Sequence, residues 1–263
     1  MTSRETALPP AAQKSGGVPV RIEGLNKSFG DNHVLKDITL EITAGETFSI
    51  IGPSGTGKSI LLRHIIRLET PDSGQIHIND EPLFGEEPPA PKGYRSSMVF
   101  QSSALFNSLT VAENIGLWMR EHRICPEEEI LRIISEKLAI VGLEGKGELR
   151  TSELSGGMRK RVAIARSLAM EPNLVLYDEP TAELDPVTTD GLAETIIGLR
   201  QTAPNTTIIV THDLNFALYL SDRMAMMLDG RIIETGTPDQ IRHSSHPEIQ
   251  RFLRTTTKGI VGA

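Results

Sequence analysis

TFSIIGPSGTGKSILLRHIIRL, Thr47 to Leu68, joins a compact β-branched run, a glycine-rich loop and an apolar stretch with helical spacing. That order predicts strand, loop and helix, the context a phosphate-binding loop requires. The loop GPSGTGKS, Gly52 to Ser59, matches G-x-x-x-x-G-K-[ST] at every position. Gly52, Gly55 and Gly57 let the backbone close around phosphates that larger side chains would hold off. In such a loop Lys58 reaches the β- and γ-phosphates and the Ser59 hydroxyl ligates Mg²⁺. A chance glycine turn is the rival explanation, and the flanking strand and helix argue against it.

Outward from this loop, strands alternate with helices. VPVRIEGL (Val18–Leu25) and HVLKDITLEI (His33–Ile42) alternate apolar and polar residues, as half-buried strands do. SGQIHINDEPL (Ser73–Leu83) reads as a hairpin around Asn79-Asp80. Between Gln101 and about Arg150 the pattern turns helical: TVAEN offers a capping box of Thr110 and Glu113. PEEEILRIISEKLAIVGL starts with Pro126 and three acids and stops at Gly142, with Ile130, Ile134, Leu138 and Val141 on one face. Strand and helix signals then resume in NLVLYDE, in a helix capped by Asp185 with Pro186 at its first position, and in TTIIVTHD. MAMMLDGRIIETG predicts a second hairpin at Asp229-Gly230, and Thr237, Pro238 and Gln240 open a short helix. No internal repeat is visible. Such alternation implies a mainly parallel sheet covered on both faces.

Composition narrows the function classes. The 263 residues suffice for one large domain or two small ones, and 38% hydrophobic with 23% charged residues is ordinary for a globular protein. A formal charge of −7 repels phosphate backbones and argues against a nucleic-acid partner. The single cysteine, Cys125, excludes an internal disulfide and reads as an ordinary thiol ahead of a helix. No apolar run approaches the roughly 18 residues that cross a bilayer. The first seventeen residues, MTSRETALPPAAQKSGG, have no apolar centre and read as a flexible leader, not a secretory signal.

Two further stretches carry chemistry. NLVLYDEP ends a buried strand in adjacent carboxylates. Asp178 suits the magnesium, and Glu179, just past the strand end, is placed to take a proton from an attacking water. In ELSGGMRKR, Glu153 to Arg161, two glycines follow a serine and lead into a basic helix, which makes a second anion-seeking helix start. The cluster Arg159-Lys160-Arg161 reads as a solvated helix face.

ELSGGMRKR followed by LVLYDEP resembles the signature of ATP-binding cassette (ABC) ATPases, LSGGQ in its common form. The resemblance covers nearly the whole chain after the leader. It implies an α/β fold: a P-loop NTPase (RecA-like) core with an antiparallel β subdomain and an inserted α-helical subdomain. The ATPase domain then spans 18–236, with the helical insert at about 101–155 and a helical tail at 237–263. By the same resemblance Phe29 stacks on adenine. Gly52, Pro53, Ser54, Gly55, Thr56, Gly57, Lys58, Ser59 and Ile60 hold the nucleotide, and Ser59, Gln101 and Asp178 serve Mg²⁺. Glu179, His212, Gln101 and Lys58 are the catalytic candidates. Ser155, Gly156, Gly157 and Asp185 would act in trans, on ATP held by the phosphate loop of a second copy, in a head-to-tail homodimer enclosing two ATP molecules. Two positions depart from the pattern. Met158 replaces the usual glutamine, and Glu183 puts a carboxylate in the D-loop, where it repels nucleotide unless it finds a cationic partner.

The wording around Met158, with FQSSALFNSLTVAENI and GKSILLRHIIRLETPDSG, is similar to the ATPases of MCE/Mla-type systems. That resemblance implies transport of phospholipids or other lipids between bacterial membranes. The partners would be integral-membrane permease subunits and an MCE-domain lipid-binding protein, with the ATPase on the cytoplasmic face of the inner membrane. Leu105, Phe106 and Leu109 would help form the groove for a permease helix. The alternatives are the ATPase of an importer for a small polar solute such as an amino acid, and a soluble ABC ATPase acting on nucleic acid.

Overall fold

The computed structural model describes residues 16–85, 93–202 and 204–257; most of the expected leader, residues 1–15, lies outside them. Among the described residues ten strands form two sheets. β1 (Val20–Phe29), β2 (Asn32–Ile42), β4 (Ser73–Ile78) and β5 (Glu81–Pro82) make an antiparallel sheet in the order β2-β1-β4-β5. β3 (Thr47–Ile51), β6 (Ser96–Val99), β7 (Leu174–Asp178), β8 (Thr206–Thr211), β9 (Arg223–Leu228) and β10 (Arg231–Gly236) make the second, in the order β10-β9-β3-β8-β7-β6. There the β9-β3-β8-β7-β6 pairs are parallel and only β10 runs antiparallel. Both expected hairpins form. Asn79 and Asp80, like Asp229 and Gly230, sit at positive φ, the backbone that matches the right-handed twist of flanking strands.

Every residue of β3, β7 and β8 is buried, so these strands carry no polar face and need cover on both sides. The period of two assigns the sides. Leu174 and Leu176 point toward α1 (Lys58–Ile65) and the antiparallel sheet, in one cluster with Ile22, Ile38, Leu61 and Ile76. Val175 and Tyr177 point the other way, into a cluster with α2 (Val111–Glu121), α3 (Glu127–Ile140), α4 (Gly156–Leu168) and α5 (Pro186–Thr202). Burying one such Ile or Leu contributes roughly 1.5–3 kcal/mol over leaving it in water.

The helical stretch forms as its signals predict. Thr110 and Glu113 make a reciprocal capping box at the start of α2. α3 starts after Pro126, ends before Gly142 at φ 65, and buries Ile130, Ile134 and Leu138, with Val141 just past its end. Asn114 is fully buried in this region. Its amide donates to the carbonyls of Phe106 and Thr110 and its carbonyl accepts from Phe106 N–H, which fixes the loop ahead of α2. Phe106 remains 54% exposed, whereas Leu105 is half-buried against the core.

Two elements carried no sequence signal, and a third falls within the expected helical tail. β6 is four residues, two of them serine. α6 (Leu214–Leu220) is capped by Asp213, which sits among the motif residues after β8. α8 (Pro247–Thr257) follows the predicted α7 (Pro238–Arg242), and its Ile249 and Leu253 pack with α6 and Met224 and Met226 of β9.

Candidate functional site

β3 delivers the chain into the glycine loop, and α1 begins at Lys58. Gly52 is dictated by a close approach: a Cβ there would lie 2.1 Å from the carbonyl oxygen of Met227 on β9. Gly55 is dictated by conformation, with φ 83 and open space around it. Thr56 Oγ1 donates to the Pro53 carbonyl, closing the loop on itself. Lys58 folds back and donates to the carbonyls of Gly52 (2.8 Å) and Pro53 (2.9 Å).

Two strand ends face this loop. At the end of β7 Asp178 accepts from the Ser59 hydroxyl at 2.6 Å. Glu179, in the left-handed region at φ 46, turns away from the strand. Its Oε1 lies 3.5 Å from Lys58 Nζ; its Oε2 accepts from His212 N–H at 3.1 Å and lies 2.8 Å from His212 Nδ1. β7 and β8 are neighbours in register, so residues just past their ends meet. Val34, Lys58, Ser59, Gln101, Glu179 and His212 line one cavity of about 290 Å³, with Ser54, Gly55, Gly57 and Ile60 along its wall.

The charges are held under tension. Burial lowers the Lys58 pKa, opposed by attraction to Glu179 and then Asp178. Burial raises the Asp178 carboxyl, opposed first by the Ser59 hydrogen bond. A polyanion entering the loop and a hard cation beside Asp178 would each relieve a desolvated charge. The donor set at Ser59 and Asp178 is all oxygen, as Mg²⁺ prefers, with Gln101 on the same cavity wall. Among the described residues no group of three or more His, Cys, Asp or Glu could hold a metal alone. Water and phosphate oxygens would complete its coordination.

Other candidates stand elsewhere. Phe29 ends β1, 43% exposed, with the Lys27 ammonium 5.2 Å over its ring, and is not among the cavity-lining residues. Ser155 caps α4, accepting from Met158 N–H at 3.2 Å; Ser155, Gly156 and Gly157 line no part of the Lys58 cavity. Asp185 caps α5 through Thr188 N–H and Oγ1. Glu183 is exposed, at φ 66. The expectation of a solvated basic face fails at Lys160, which is only 5% exposed and donates to the backbone carbonyl of Gln101. α4 is covered on several sides, so its 3.6-residue period turns one member of the triplet inward. Within a run of three bases the sequence gives no sign of which one turns inward.

Comparison with known proteins places this geometry. The family model described as ABC transporter matches residues 35–182, more than half of the chain. That span includes Lys58, Gln101, Ser155 to Gly157, Asp178 and Glu179, and leaves out Phe29, Asp185 and His212. The chain is 38% identical over 250 residues to the probable ribonucleotide transport ATP-binding protein mkl of Mycobacterium tuberculosis, covering 94% of this chain and 69% of that protein. It is 35% identical to protein TRIGALACTOSYLDIACYLGLYCEROL 3, chloroplastic, of Arabidopsis thaliana, over 94% and 76% of the two chains. Identity to the L-cystine import ATP-binding protein TcyN of Bacillus subtilis is 38%, over 89% and 92%. Among solved structures, cbiO1 of Clostridium perfringens, part of the ABC transporter complex cbiONQ, superimposes with a TM-score of 0.77 at 31% identity, covering 91% and 96%. The dimeric post-hydrolysis structure of the ATP-binding cassette MJ0796, bound to ADP and Pi, gives 0.73 at 30% identity, covering 83% and 98%.

Proposed function

The chain belongs to the ABC transporter family as an ATP-binding ATPase domain, and from that premise we propose that it powers lipid transport through a head-to-tail pair of its own copies. The observation that carries the pairing is the separation of two anion-seeking elements. Lys58, Glu179 and His212 meet in one cavity, and the helix start at Ser155 lies outside it. Each helix start then completes the site of the other copy, with Gly156 and Gly157 offering backbone N–H groups and Asp185, at the end of the D-loop, acting on the same nucleotide. Dimeric MJ0796 supports this arrangement.

Within one site, the glycine loop and Lys58 bind the triphosphate, and Phe29 stacks on the base at the outer end. Glu179 accepts a proton from the attacking water, and His212, at its Oε2, orients it and contacts the γ-phosphate. Ser59, Asp178 and Gln101 would hold Mg²⁺, which would supply charge neutralisation at the phosphates. Loss of the γ-phosphate removes the bond between the copies, and reopening drives the partner membrane protein. Among the described residues no helix is long and apolar enough to cross a membrane. In this reading the chain docks on permease subunits at the cytoplasmic face, with exposed Phe106 in the groove that receives a permease helix.

The lipid assignment rests on the MCE/Mla-like wording around Met158 and on a relative named for a galactolipid. An importer of a small polar solute is the second reading, favoured by the 38% identity to an L-cystine import protein. Mass spectrometry of the complex purified with its permease decides: bound phospholipid and a co-purifying MCE-domain protein support lipid transport, and a bound amino acid overturns it. The pairing has its own test. Ser155→Arg is expected to abolish hydrolysis while the isolated copy still binds ATP. Loss of that affinity to the extent seen in Lys58→Ala would overturn action in trans.

A further inference from the structure

The turn after β6, Gln101 to Ala104, has no regular hydrogen-bonding partner strand, and two of its non-glycine residues, Ser103 and Ala104, are left-handed at φ 62 and 47. Such backbone persists only where surrounding structure holds it. Here the holding groups come from one helix. Lys160 of α4, nearly fully buried, donates to the carbonyl of Gln101. Arg166, one and a half turns on, donates from its two terminal nitrogens to the carbonyls of Ala104 (2.7 Å) and Ser103 (3.0 Å). Three of the turn's four carbonyls thus end on cations of α4, and such charge-assisted bonds are the strong ones. At the other end of the same helix Ser155 is the N-cap, and Arg159 donates to the Leu154 carbonyl at 2.8 Å.

We infer that Lys160 and Arg166 are positioning residues that fasten the Gln101–Ala104 turn to α4, so that Gln101 in one cavity moves with the helix start that reads the other copy's nucleotide. This rests on the pairing proposed above. In a head-to-tail dimer, Ser155 meets ATP in the neighbour's site, whereas Gln101 lines the cavity of its own chain. The clamp makes α4 a rigid link between the two sites. ATP seated at one places Gln101 in the other, which is positive coupling by a shared two-state element.

Burial works against the charge on Lys160, and attraction to Glu183, ahead of Asp178 and Glu179, works for it.

The test compares full-length wild type with Lys160→Met, Lys160→Arg and Ser155→Arg. Measured are ATPase rate against ATP concentration, ATP affinity of the isolated copy, melting temperature, and hydrogen exchange of residues 101–106. Lys160→Met is expected to lower kcat roughly tenfold to a hundredfold, the scale of a misplaced catalytic group. Its Hill slope falls to about 1 from a cooperative wild-type value, and exchange at 101–106 quickens, with single-copy ATP affinity kept. Lys160→Arg, which can donate to the same carbonyl, restores rate and slope. A wild-type kcat and Hill slope in Lys160→Met overturns the clamp, as does loss of single-copy ATP affinity in step with melting temperature. Wild-type turnover in Ser155→Arg instead condemns the pairing on which the clamp rests.

Discussion

Glu179→Gln separates two things the carboxylate does. Its Oε1 lies 3.5 Å from Lys58 Nζ, and both side chains are largely buried. At an effective dielectric of about 20, opposite charges at that distance attract by about 5 kcal/mol before desolvation is subtracted. Stranding a buried charge costs about 3–5 kcal/mol, but Lys58 keeps the Gly52 and Pro53 carbonyls. The net loss is therefore about 1–2 kcal/mol, a fall of roughly 2–8 °C in the nucleotide-free melting midpoint. ATP reverses that sign. Its phosphates compete with Glu179 for Lys58, so with the carboxylate gone the ATP-induced rise in melting temperature exceeds that of wild type. Turnover moves further. Losing a general base costs about 10²–10⁴ in kcat, or roughly 3–5 kcal/mol of barrier. Phosphate release measures the rate, and size exclusion with ATP and magnesium reports the trapped dimer. Turnover indistinguishable from wild type, with no dimer accumulating, refutes the assignment of Glu179 as base.

Chelating divalent cations is expected to stop hydrolysis, and Ser59→Ala to raise the magnesium needed for half-maximal rate by about tenfold or more; an unshifted magnesium titration counts against Ser59 as ligand. Gly157→Ala puts a Cβ 2.3 Å from Thr188 Cγ2 on α5, so α4 must shift at its start. The overpacking costs about 1–3 kcal/mol, read as a lower melting temperature together with lost turnover; neither changing would mean that the helix start tolerates displacement. Tyr94 donates to the Ile65 carbonyl at 2.8 Å, and burial pushes its pKa up to about 12 from 10.0. A raised folded-state pKa gives stability present below about pH 10 that declines toward pH 12, by roughly 3 kcal/mol for two units. Denaturant titrations of Tyr94→Phe across that range should show a shallower loss than wild type, and equal slopes would contradict it.

The strands and helices that were legible from sequence share one property: their signals are local. β3, the glycine loop and α1 sit within twenty-two consecutive residues, and the Thr110, Asp185 and Thr237 caps each need only the next three or four. The elements that were missed lack such signals. β6, with two serines in four residues, is a strand because β7 pairs with it, and α6 forms because Leu214 and Ala217 pack against Ile51 of β3 and Met224 of β9. The site divides the same way. Lys58 and Ser59 were readable from their loop, whereas the 2.8 Å contact between Glu179 and His212 exists because β7 and β8 lie side by side in the sheet.

Sequence alone determined the chemistry on offer: a phosphate loop, adjacent carboxylates, a second anion-seeking helix start and the family to which they belong. Tertiary structure decided which of these groups share a cavity, and which charges are taken out of water. Lys160 shows the difference. In sequence it is one of three consecutive bases, and nothing local distinguishes it from Arg159 or Arg161. Once α4 is packed, the helical period aims one of the three at the Gln101 turn and leaves Arg159 exposed. Burial depends on what every other element does, and a run of residues carries no information about that until the chain has closed around it.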